Sequence, residues 1–311
     1  MKVSVSGVYN DVVKIQDWHV GMITQPISDF LKPDNTPKII WLPTPDKEKY
    51  IADPFGLIRD GRIFILCEEF DYSTCKGRIV CYAEDEDHTF GASHVAMEVP
   101  FHLSYPYLLE WNGETYCIPE TCQAREVSLY RAQEFPYRWE KAATLIPNFP
   151  GLDTSVFEFD GRWWLTCANL EDGPWEKLFI WRADNLTGPW LPHSANPVKI
   201  SRHSSRPAGT PFMHEGILYR PAQDCSKSYG QSVVINRVKR LTKDEFEEEE
   251  VTVVKPFQAP YLEGLHTLSS IDGLTLIDGK RSRMVGSFSE IRYNAARLGS
   301  NLHRRLAGPH R

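Results

Sequence analysis

The chain has 311 residues, of which 41% are hydrophobic and 24% charged, and its formal net charge is −6. This composition is typical of a globular protein with a large core, and the acidic balance argues against a nucleic-acid partner. No apolar run approaches the roughly 18 residues of a membrane span, and the first residues lack a signal-peptide core. The sequence therefore predicts a cytoplasmic protein without a transmembrane segment.

A hairpin pattern recurs along the chain after two apolar segments, DWHVGMI and KIIWLPTP. Each copy has a strand, a two-residue turn that ends in glycine, and a second strand of alternating aromatic and aliphatic residues. The turns end 52, 48, 55 and 57 residues apart, at Gly61, Gly113, Gly161, Gly216 and Gly273. Their Asp-Gly, Asn-Gly and Glu-Gly pairs favour the positive φ that a two-residue hairpin requires.

Two further strands follow each hairpin, for example GRIVCYAED and KLFIWRADN. Four strands in a repeat of about 50 residues are typical of a propeller blade. We therefore predict an all-β, five-bladed β-propeller with about four antiparallel strands per blade, as one domain over residues 1–311. The expected blades are roughly 50–100, 101–147, 148–200, 201–258 and 259–290, closed by an N-terminal strand, with 291–311 as a basic tail. The acidic segment LTKDEFEEEE is expected to form an exposed turn or loop.

Carboxylates occupy matching positions of different repeats. Asp53-Pro54 and Asp153-Thr154 each end seven residues before the turn glycine, and Glu68 and Glu120 each lie seven residues after it. Because the first strands of all blades line one channel, these four side chains are predicted to converge as catalytic residues. The alternatives are that each Asp caps a turn through its own backbone and that Glu120 is an ordinary surface residue.

Five further residues are predicted to bind substrate at the same end of the channel. They are Tyr105, Arg206, Arg220, Asp224 and His266. The two arginines indicate an anionic substrate, such as a uronate or a phosphorylated sugar, or else they neutralise the acids. His266 has the alternative of a core histidine with internal hydrogen bonds.

Clustered carboxylates in an aromatic-rich cleft are suited to glycosidic chemistry. One acid protonates the departing oxygen while another activates water or attacks the anomeric carbon. The chain has none of the common nucleotide-binding, zinc-protease or serine-hydrolase motifs. Its seven cysteines are expected to be reduced and mostly buried, and no His-rich motif follows Cys117 and Cys122, so no zinc site is predicted. Trp164 is predicted to belong to the core.

Several motifs together resemble a known family. They are ADPF…DGR…CEEF, HLSYPY…NGE…IPET, DTSVF…DGRWW, YRPAQDCSKSYG and GLHTLS. The set resembles the N-terminal domain of plant glucosamine inositolphosphorylceramide transferases and its stand-alone bacterial relatives, over about residues 51–289. Some of those relatives lie near, or are fused to, formyltransferase-like domains. That domain is in turn similar to the five-bladed propellers of glycoside hydrolase families 43 and 32.

The resemblance implies roles for particular residues. Family 43-like enzymes place an Asp general base in the first blade, a pKa-tuning Asp in the second and a Glu general acid in the third. Asp53 matches the base, whereas Tyr105 and Asp153 occupy the other two places, which leaves Glu120 or Glu68 as alternative acids. A channel histidine can hold a cation in such propellers, so a structural cation near His266 is an expectation, and no other cofactor is expected.

Two functions are therefore open. The first is a glycoside hydrolase-like protein, inverting if it is active, that acts on a carbohydrate or glycoconjugate ligand. The second is a non-catalytic carbohydrate-recognition propeller that assists a glycosyltransferase or an envelope-polysaccharide enzyme. The resemblance also makes a glycosyltransferase or a formyltransferase-like protein an expected partner.

Overall fold

The computed structural model describes residues 14–46 and 48–296, and within them the chain is built almost entirely from β-strands. The strands form five antiparallel sheets. This arrangement confirms the all-β, five-bladed β-propeller that the repeats predict. The predicted tail residues Arg297, Arg304, Arg305 and Arg311 lie outside the described residues.

The strands follow one another in chain order. Before the first hairpin come β1 (Lys14–Ile23) and β2 (Ile40–Trp41). Blade 1 contains β3 (Lys49–Arg59), β4 (Arg62–Asp71), β5 (Lys76–Ala83) and β6 (His94–Met97). Blade 2 contains β7 (Ser104–Trp111), β8 (Glu114–Glu120), β9 (Glu126–Glu134) and β10 (Arg138–Pro147). Blade 3 contains β11 (Gly151–Phe159), β12 (Arg162–Asn169), β13 (Lys177–Ala183), β14 (Leu191–Pro192) and β15 (Lys199–Ile200).

The last two blades complete the ring. Blade 4 contains β16 (Phe212–His214), β17 (Ile217–Asp224), β18 (Ser232–Leu241) and β19 (Phe246–Val254). Blade 5 contains β20 (Leu268–Ile271) and β21 (Leu274–Met284) together with β1 and β2. The pairing of β1 with β21 runs from Lys14 opposite Met284 to Ile23 opposite Thr275. Because an N-terminal strand occupies the third place of the last blade, the two ends of the chain hold the ring closed.

All five predicted turns have the expected backbone. Both central residues have positive φ at Asp60-Gly61, Asn112-Gly113, Asp160-Gly161, Glu215-Gly216 and Asp272-Gly273. This is the geometry of a type I′ turn, whose twist matches that of the flanking strands. The dipeptides on which the repeat was recognised therefore form the hairpins themselves.

The hydrophobic core is divided among the interfaces between neighbouring blades. One buried cluster lies at each of the five interfaces, for example Leu66, Ile79 and Leu103 between blades 1 and 2. Trp164 belongs to the cluster between blades 3 and 4, which confirms its predicted place in the core. Since each sheet buries both faces against its neighbours, the channel at the centre is left to polar residues.

The structure corrects one prediction about secondary structure. The acidic segment expected to be a turn or loop forms much of β19, the outer strand of blade 4. Its glutamates lie opposite basic residues of β18, with Arg237 opposite Glu249 and Arg240 opposite Glu247. Opposite charges across a strand pair stabilise this edge, an effect that composition alone does not reveal.

A short helix follows the last strand. Residues 288–296 are helical, and Tyr293 packs against Phe70 and Tyr72 of blade 1. Every helix in the described part of the chain is too short or too polar to traverse a bilayer.

Candidate active site

The first strands of blades 1, 2 and 3 share one backbone irregularity. Asp53, Tyr105 and Asp153 have φ of 54°, 45° and 50°, and the pairing register of each strand shifts at that point. A bulge of this kind re-aims a side chain and is common beside active sites. The matching register predicted from the sequence thus corresponds to a matching distortion in the structure.

Asp53 of blade 1 forms hydrogen bonds with residues of blade 5. Its backbone N–H donates to Asp278 Oδ2 at 3.2 Å, and its Oδ1 accepts from the Thr267 hydroxyl at 2.9 Å. His266 Nδ1 lies 3.7 Å from Asp53 Oδ1 and 2.5 Å from Asp278 Oδ2. Burial raises the pKa of Asp53 to about 6. The charge of His266 lowers this pKa, and the charge of Asp153 raises it further. Asp53 is therefore mostly ionised at pH 7, yet close enough to its pKa to take up a proton.

His266 and Asp278 form a buried ion pair next to Asp53. Burial alone would lower the pKa of His266, but the carboxylates of Asp278 and Asp53 outweigh it and raise that pKa. The imidazole also stacks on Trp18, with ring centroids 3.9 Å apart. Because its hydrogen bonds and its stacking partner are internal, His266 combines the predicted place in the channel with the properties of a core histidine.

Asp153 is neutralised by an arginine of blade 4. Arg206 binds it with both arms of the guanidinium, Nε to Oδ2 at 2.5 Å and Nη2 to Oδ1 at 3.2 Å. Gln223 Nε2 donates to Oδ2 at 2.7 Å. A carboxylate held in a bidentate arginine pair is a poor proton donor, because the pair stabilises its charged form. This geometry argues against Asp153 as the general acid.

Glu120 is the carboxyl group beside Asp153. Its Oε2 accepts the Asp153 backbone N–H at 3.3 Å, and its Oε1 accepts from the Cys122 thiol at 3.3 Å. Burial, reinforced by the charge on Asp153, raises the pKa of Glu120 to about 8, although Arg206 acts in the opposite direction. Glu120 is thus protonated at pH 7, which is the state that a general acid needs.

Glu68 is a second buried carboxyl group of the cluster. Burial, followed by the charges of Asp53 and Glu120, holds the pKa of Glu68 well above its ordinary value. Its Oε1 lacks a hydrogen-bond partner among the described residues, and His102 Nε2 lies 3.5 Å away. Burial lowers the pKa of His102 to about 4, and its Nδ1 accepts the Gly77 N–H at 2.9 Å, so the neutral ring carries its proton on Nε2.

The elevated pKa of Glu120 makes the stability of the protein depend on pH. Between its unfolded value of about 4.5 and its folded value of about 8, only the folded state keeps the proton. Stability from this group is therefore lost as pH rises through that window. We expect Glu120→Gln, which removes the titration, to raise the free energy of unfolding at pH 8 by a few kcal/mol, since one pKa unit corresponds to about 1.4 kcal/mol.

Urea unfolding of the wild type and of Glu120→Gln at pH 5 and pH 8 measures this effect. The stabilisation should be clearly larger at pH 8 than at pH 5. Glu84→Gln, which alters another buried carboxyl group in blade 1, serves as the matched control. An equal change at both pH values in Glu120→Gln would contradict the prediction.

The structure corrects the predicted positions of Arg220 and Asp224. Arg220 forms a bidentate pair with Glu248 of β19 and donates to two backbone carbonyls, so it lies apart from the carboxylate cluster. Asp224 accepts from the Ser226 backbone N–H at 2.9 Å and lies 3.2 Å from His203 Nδ1. Asp224 was selected one residue beyond the register, and the alternation of a strand turns such a residue to the opposite face.

Tyr105 lies deeper than predicted. Its side chain is fully buried, and its hydroxyl lies 2.9 Å from Ser155 Oγ and accepts the Gly209 N–H at 2.6 Å. A substrate would meet no exposed surface of this residue. Tyr105 instead links the first strand of blade 2 to blades 3 and 4, where the resemblance places a pKa-tuning Asp.

Sequence reasoning missed two residues for which a signal exists. Gln223 lies seven residues after Gly216, in the register of Glu68 and Glu120, and it binds Asp153. Asp278 stands two residues before the same register position of blade 5, and therefore faces the same side of its strand. Counting the register strictly in all five blades would have found Gln223, whereas Asp278 requires the same-face position two residues earlier as well.

Aromatic side chains lie over the cluster. Tyr229 stands beside Trp18, Trp175 and His266, with ring centroids 6.2, 6.5 and 5.3 Å apart respectively. The Arg206 guanidinium lies 5.3 Å from the centre of the Tyr229 ring. Trp175 is 37% exposed, so an aromatic surface that suits a sugar ring borders the charged groups.

Among the described residues, one group could hold a metal ion. Asp53, His266 and Asp278 each offer a ligand atom, and these atoms lie within 4.8 Å of one another. The two carboxylates are suitable metal ligands, but His266 is less so. Its Nδ1 is within hydrogen-bond distance of Asp278, and its raised pKa favours the protonated ring. A cation at this point would have to displace that proton.

Sequence comparison relates the chain to one family. Residues 44–259 match the family described as glucosamine inositolphosphorylceramide transferase 1, N-terminal. The protein of that name from Oryza sativa subsp. japonica is 37% identical over 205 residues, which are 64% of this chain and 27% of that protein. The protein of that name from Arabidopsis thaliana is 31% identical over 208 residues, 65% of this chain and 27% of that protein. The chain thus spans about a quarter of the length of these curated relatives.

Solved structures share the fold at low sequence identity. Zg3597, a family 117 glycoside hydrolase from Zobellia galactanivorans, superposes with a TM-score of 0.53 at 16% identity over 72% of this chain and 77% of that one. The RS223 β-xylosidase gives 0.54 at 12% identity over 75% of this chain and 84% of that one. A glycosyl hydrolase from Bacteroides ovatus gives 0.53 at 10% identity, over 76% and 86%. These likenesses establish the propeller fold.

Proposed function

We infer the function of this chain from the family to which it belongs, that of the N-terminal domain of glucosamine inositolphosphorylceramide transferase 1, and from the carboxyl groups of its channel. The relatives are named as transferases, and this chain spans 27% of their length. Their transferase activity therefore does not carry over to this chain. We propose a glycoside hydrolase-like, carbohydrate-active protein that cleaves a glycosidic bond by acid/base catalysis in the central channel.

The observation that carries this proposal is the separation of two pKa values in one cluster. Asp53, with a pKa of about 6, is the general base that activates water, and Glu120, with a pKa of about 8, is the general acid that protonates the departing oxygen. Buried carboxyl groups whose pKa values are driven apart are the usual mark of such a pair. Glu68, whose pKa burial also holds well above its ordinary value, is the alternative acid.

In this scheme the other residues position the reacting groups. Thr267 and the Asp278–His266 pair hold the Asp53 carboxylate, while Arg206 and Gln223 hold the Asp153 carboxyl group beside Glu120. The charge of Asp153 adds to burial in raising the pKa of Glu120 and so keeps its proton available. A water activated by Asp53 attacks the anomeric carbon directly, which gives inversion of configuration.

The second candidate is non-catalytic carbohydrate recognition. The pairing of Asp153 with Arg206 favours it, because one of the two repeated Asp positions is withdrawn from proton transfer. In this case the propeller would present a sugar to a glycosyltransferase, a formyltransferase-like protein or an envelope-polysaccharide enzyme. Cytoplasmic location and a structural cation near His266 stay predictions under either function.

The test is a screen of neutral, acidic and phosphorylated oligosaccharides between pH 5 and pH 9, with mass spectrometry of each mixture. We expect a cleaved product, formed fastest between about pH 6 and pH 8. The rate falls below that window because Asp53 gains a proton, and above it because Glu120 loses one. Calorimetric binding without product at any pH would reject hydrolysis in favour of recognition.

A further inference from the structure

A separate cleft of about 500 Å³ lies beside blade 5, at the start of blade 1. Its lining includes Trp18, His19 and Tyr261. None of the channel carboxyl groups belongs to it, namely Asp53, Glu68, Glu120, Asp153 and Asp278. This volume is in the usual range of small-molecule sites. The Trp18 indole stacks on His266 of the channel, whereas Asp17 and His19 lie on the opposite face of β1.

Unused hydrogen-bonding groups occur on an ion pair in this cleft, in which the Arg281 side chain is 34% exposed and that of Asp17 is 10% exposed. Arg281 donates twice to Asp17 Oδ2, from Nε at 3.0 Å and from Nη2 at 2.9 Å, and Arg283 Nε lies 3.5 Å from the same oxygen. Asp17 is only 7% exposed, yet its Oδ1 accepts no hydrogen bond from any described residue. Arg281 Nη1 and the Trp18 indole N–H likewise have no acceptor within residues 14–46 and 48–296.

The Arg281 side chain is held in place before any ligand binds. Its guanidinium carbon lies 4.9 Å from the centre of the Tyr261 ring, and Tyr261 stacks on His19 with ring centroids 5.3 Å apart. His19 Nε2 lies within hydrogen-bond distance, 2.8 Å, of the Leu42 carbonyl. Binding therefore requires little ordering of these side chains, and preorganisation of this kind lowers the cost of association.

The charges of the cleft balance closely. Its lining has three cations and four anions, namely Lys49, Arg281 and Arg283 against Asp17, Asp46, Glu48 and Glu290. An anionic ligand would find no net attraction there. The paired charges instead offer directional donors and acceptors beside aromatic rings, which is a suitable lining for a neutral molecule with many hydroxyl groups.

We propose that this cleft is a second carbohydrate-binding site, specific for a neutral sugar residue. Adjacent hydroxyls of the sugar donate to Asp17 Oδ1 and accept from Arg281 Nη1, while the sugar ring lies beside Tyr261. The choice of carbohydrate as ligand rests on the proposed function, but binding in the cleft does not require catalysis in the channel. An oligosaccharide held here would lie on the face of β1 opposite to the Trp18 indole.

The experiment titrates the full chain with xylobiose and β-1,3-galactobiose as neutral probes, and with glucuronate and glucose 6-phosphate as anionic ones, by calorimetry. We expect a neutral probe to bind, and Arg281→Lys, which loses the forked donor, to weaken binding at least tenfold. Arg131→Lys alters an ion pair of blade 2 with Glu140 and should leave the Kd unchanged. In wild type, the Arg281 Nε–H resonance should shift during the titration, which does not depend on how a variant folds.

The outcomes separate this inference from the proposed function. Asp53→Asn should abolish turnover and leave binding in the cleft intact. Binding without turnover that Arg281→Lys weakens would reject hydrolysis and keep the second site, whereas turnover together with binding that Arg281→Lys leaves unchanged would do the reverse. Failure of both neutral probes to bind, an unmoved Arg281 Nε–H resonance, or tighter binding of the anionic probes would overturn the inference.

Discussion

Replacing Asp53 with Asn is expected to lower the rate of glycoside cleavage by about 10²–10⁴-fold, the usual contribution of a general base. Asn keeps the size of the side chain and can still accept from Thr267, but it cannot take a proton from water. The loss should fall on kcat more than on KM, because the base acts in the transition state. Initial rates on the best substrate of the screen, for wild type and variant, measure the effect.

Two companion variants make this prediction specific. Glu120→Gln should cause a loss of similar size and remove the fall in rate above about pH 8, while the fall below about pH 6 persists. Glu84→Gln removes a buried carboxyl group that binds the Ile63 backbone N–H outside the cluster, and should retain the wild-type rate. Full activity in Asp53→Asn would eliminate the proposed base.

Replacing Arg206 with Met is expected to lower the free energy of unfolding by about 3–5 kcal/mol at pH 7. The substitution leaves the buried Asp153 carboxylate without its bidentate partner, and an uncompensated buried charge is strongly destabilising. Gln223 remains as a donor to Asp153 Oδ2, but a neutral amide replaces only part of the interaction. Urea unfolding followed by tryptophan fluorescence gives the difference.

Controls for the Arg206 prediction use the same chemistry elsewhere. Arg131→Met breaks an exposed pair with Glu140, and such pairs contribute only about 0–1 kcal/mol. The double variant Arg206→Met with Asp153→Asn removes both charges and should regain much of the lost stability. A loss in Arg206→Met no larger than in Arg131→Met would show that the buried pair contributes little.

The features that the sequence determined are local or repeated. Each turn dipeptide, such as Asn112-Gly113, carries its own preference for positive φ, so five hairpins could be recognised without any knowledge of long-range contacts. The repeat then implied blades, and the blades implied convergence of Asp53, Glu68, Glu120 and Asp153. Charges within this group contribute to the raised pKa values of Asp53, Glu68 and Glu120, and Glu120 accepts the backbone N–H of Asp153.

The roles of these residues could not be predicted in the same way. Asp53 and Asp153 have the same register and the same bulge, but one faces Thr267 and the other faces Arg206. Their partners come from blades 5 and 4, at sequence distances that no local pattern encodes. Which carboxyl group keeps its proton depends on those partners, and so only the folded structure distinguishes Glu120 from Asp153.

Tertiary contacts account for the features that the sequence did not predict. Arg220 was a reasonable candidate from its place on β17, but the fold pairs it with Glu248 of β19. Asp17 and Arg281 lie 264 positions apart and meet only because β1 joins β21 in the last blade. The sequence alone thus determined the strands, the turns and the number of blades, because their preferences are local. The tertiary structure decided which charges are neutralised, which are left to react and where a second cleft opens, because pKa values and pockets arise from neighbours brought together by ring closure.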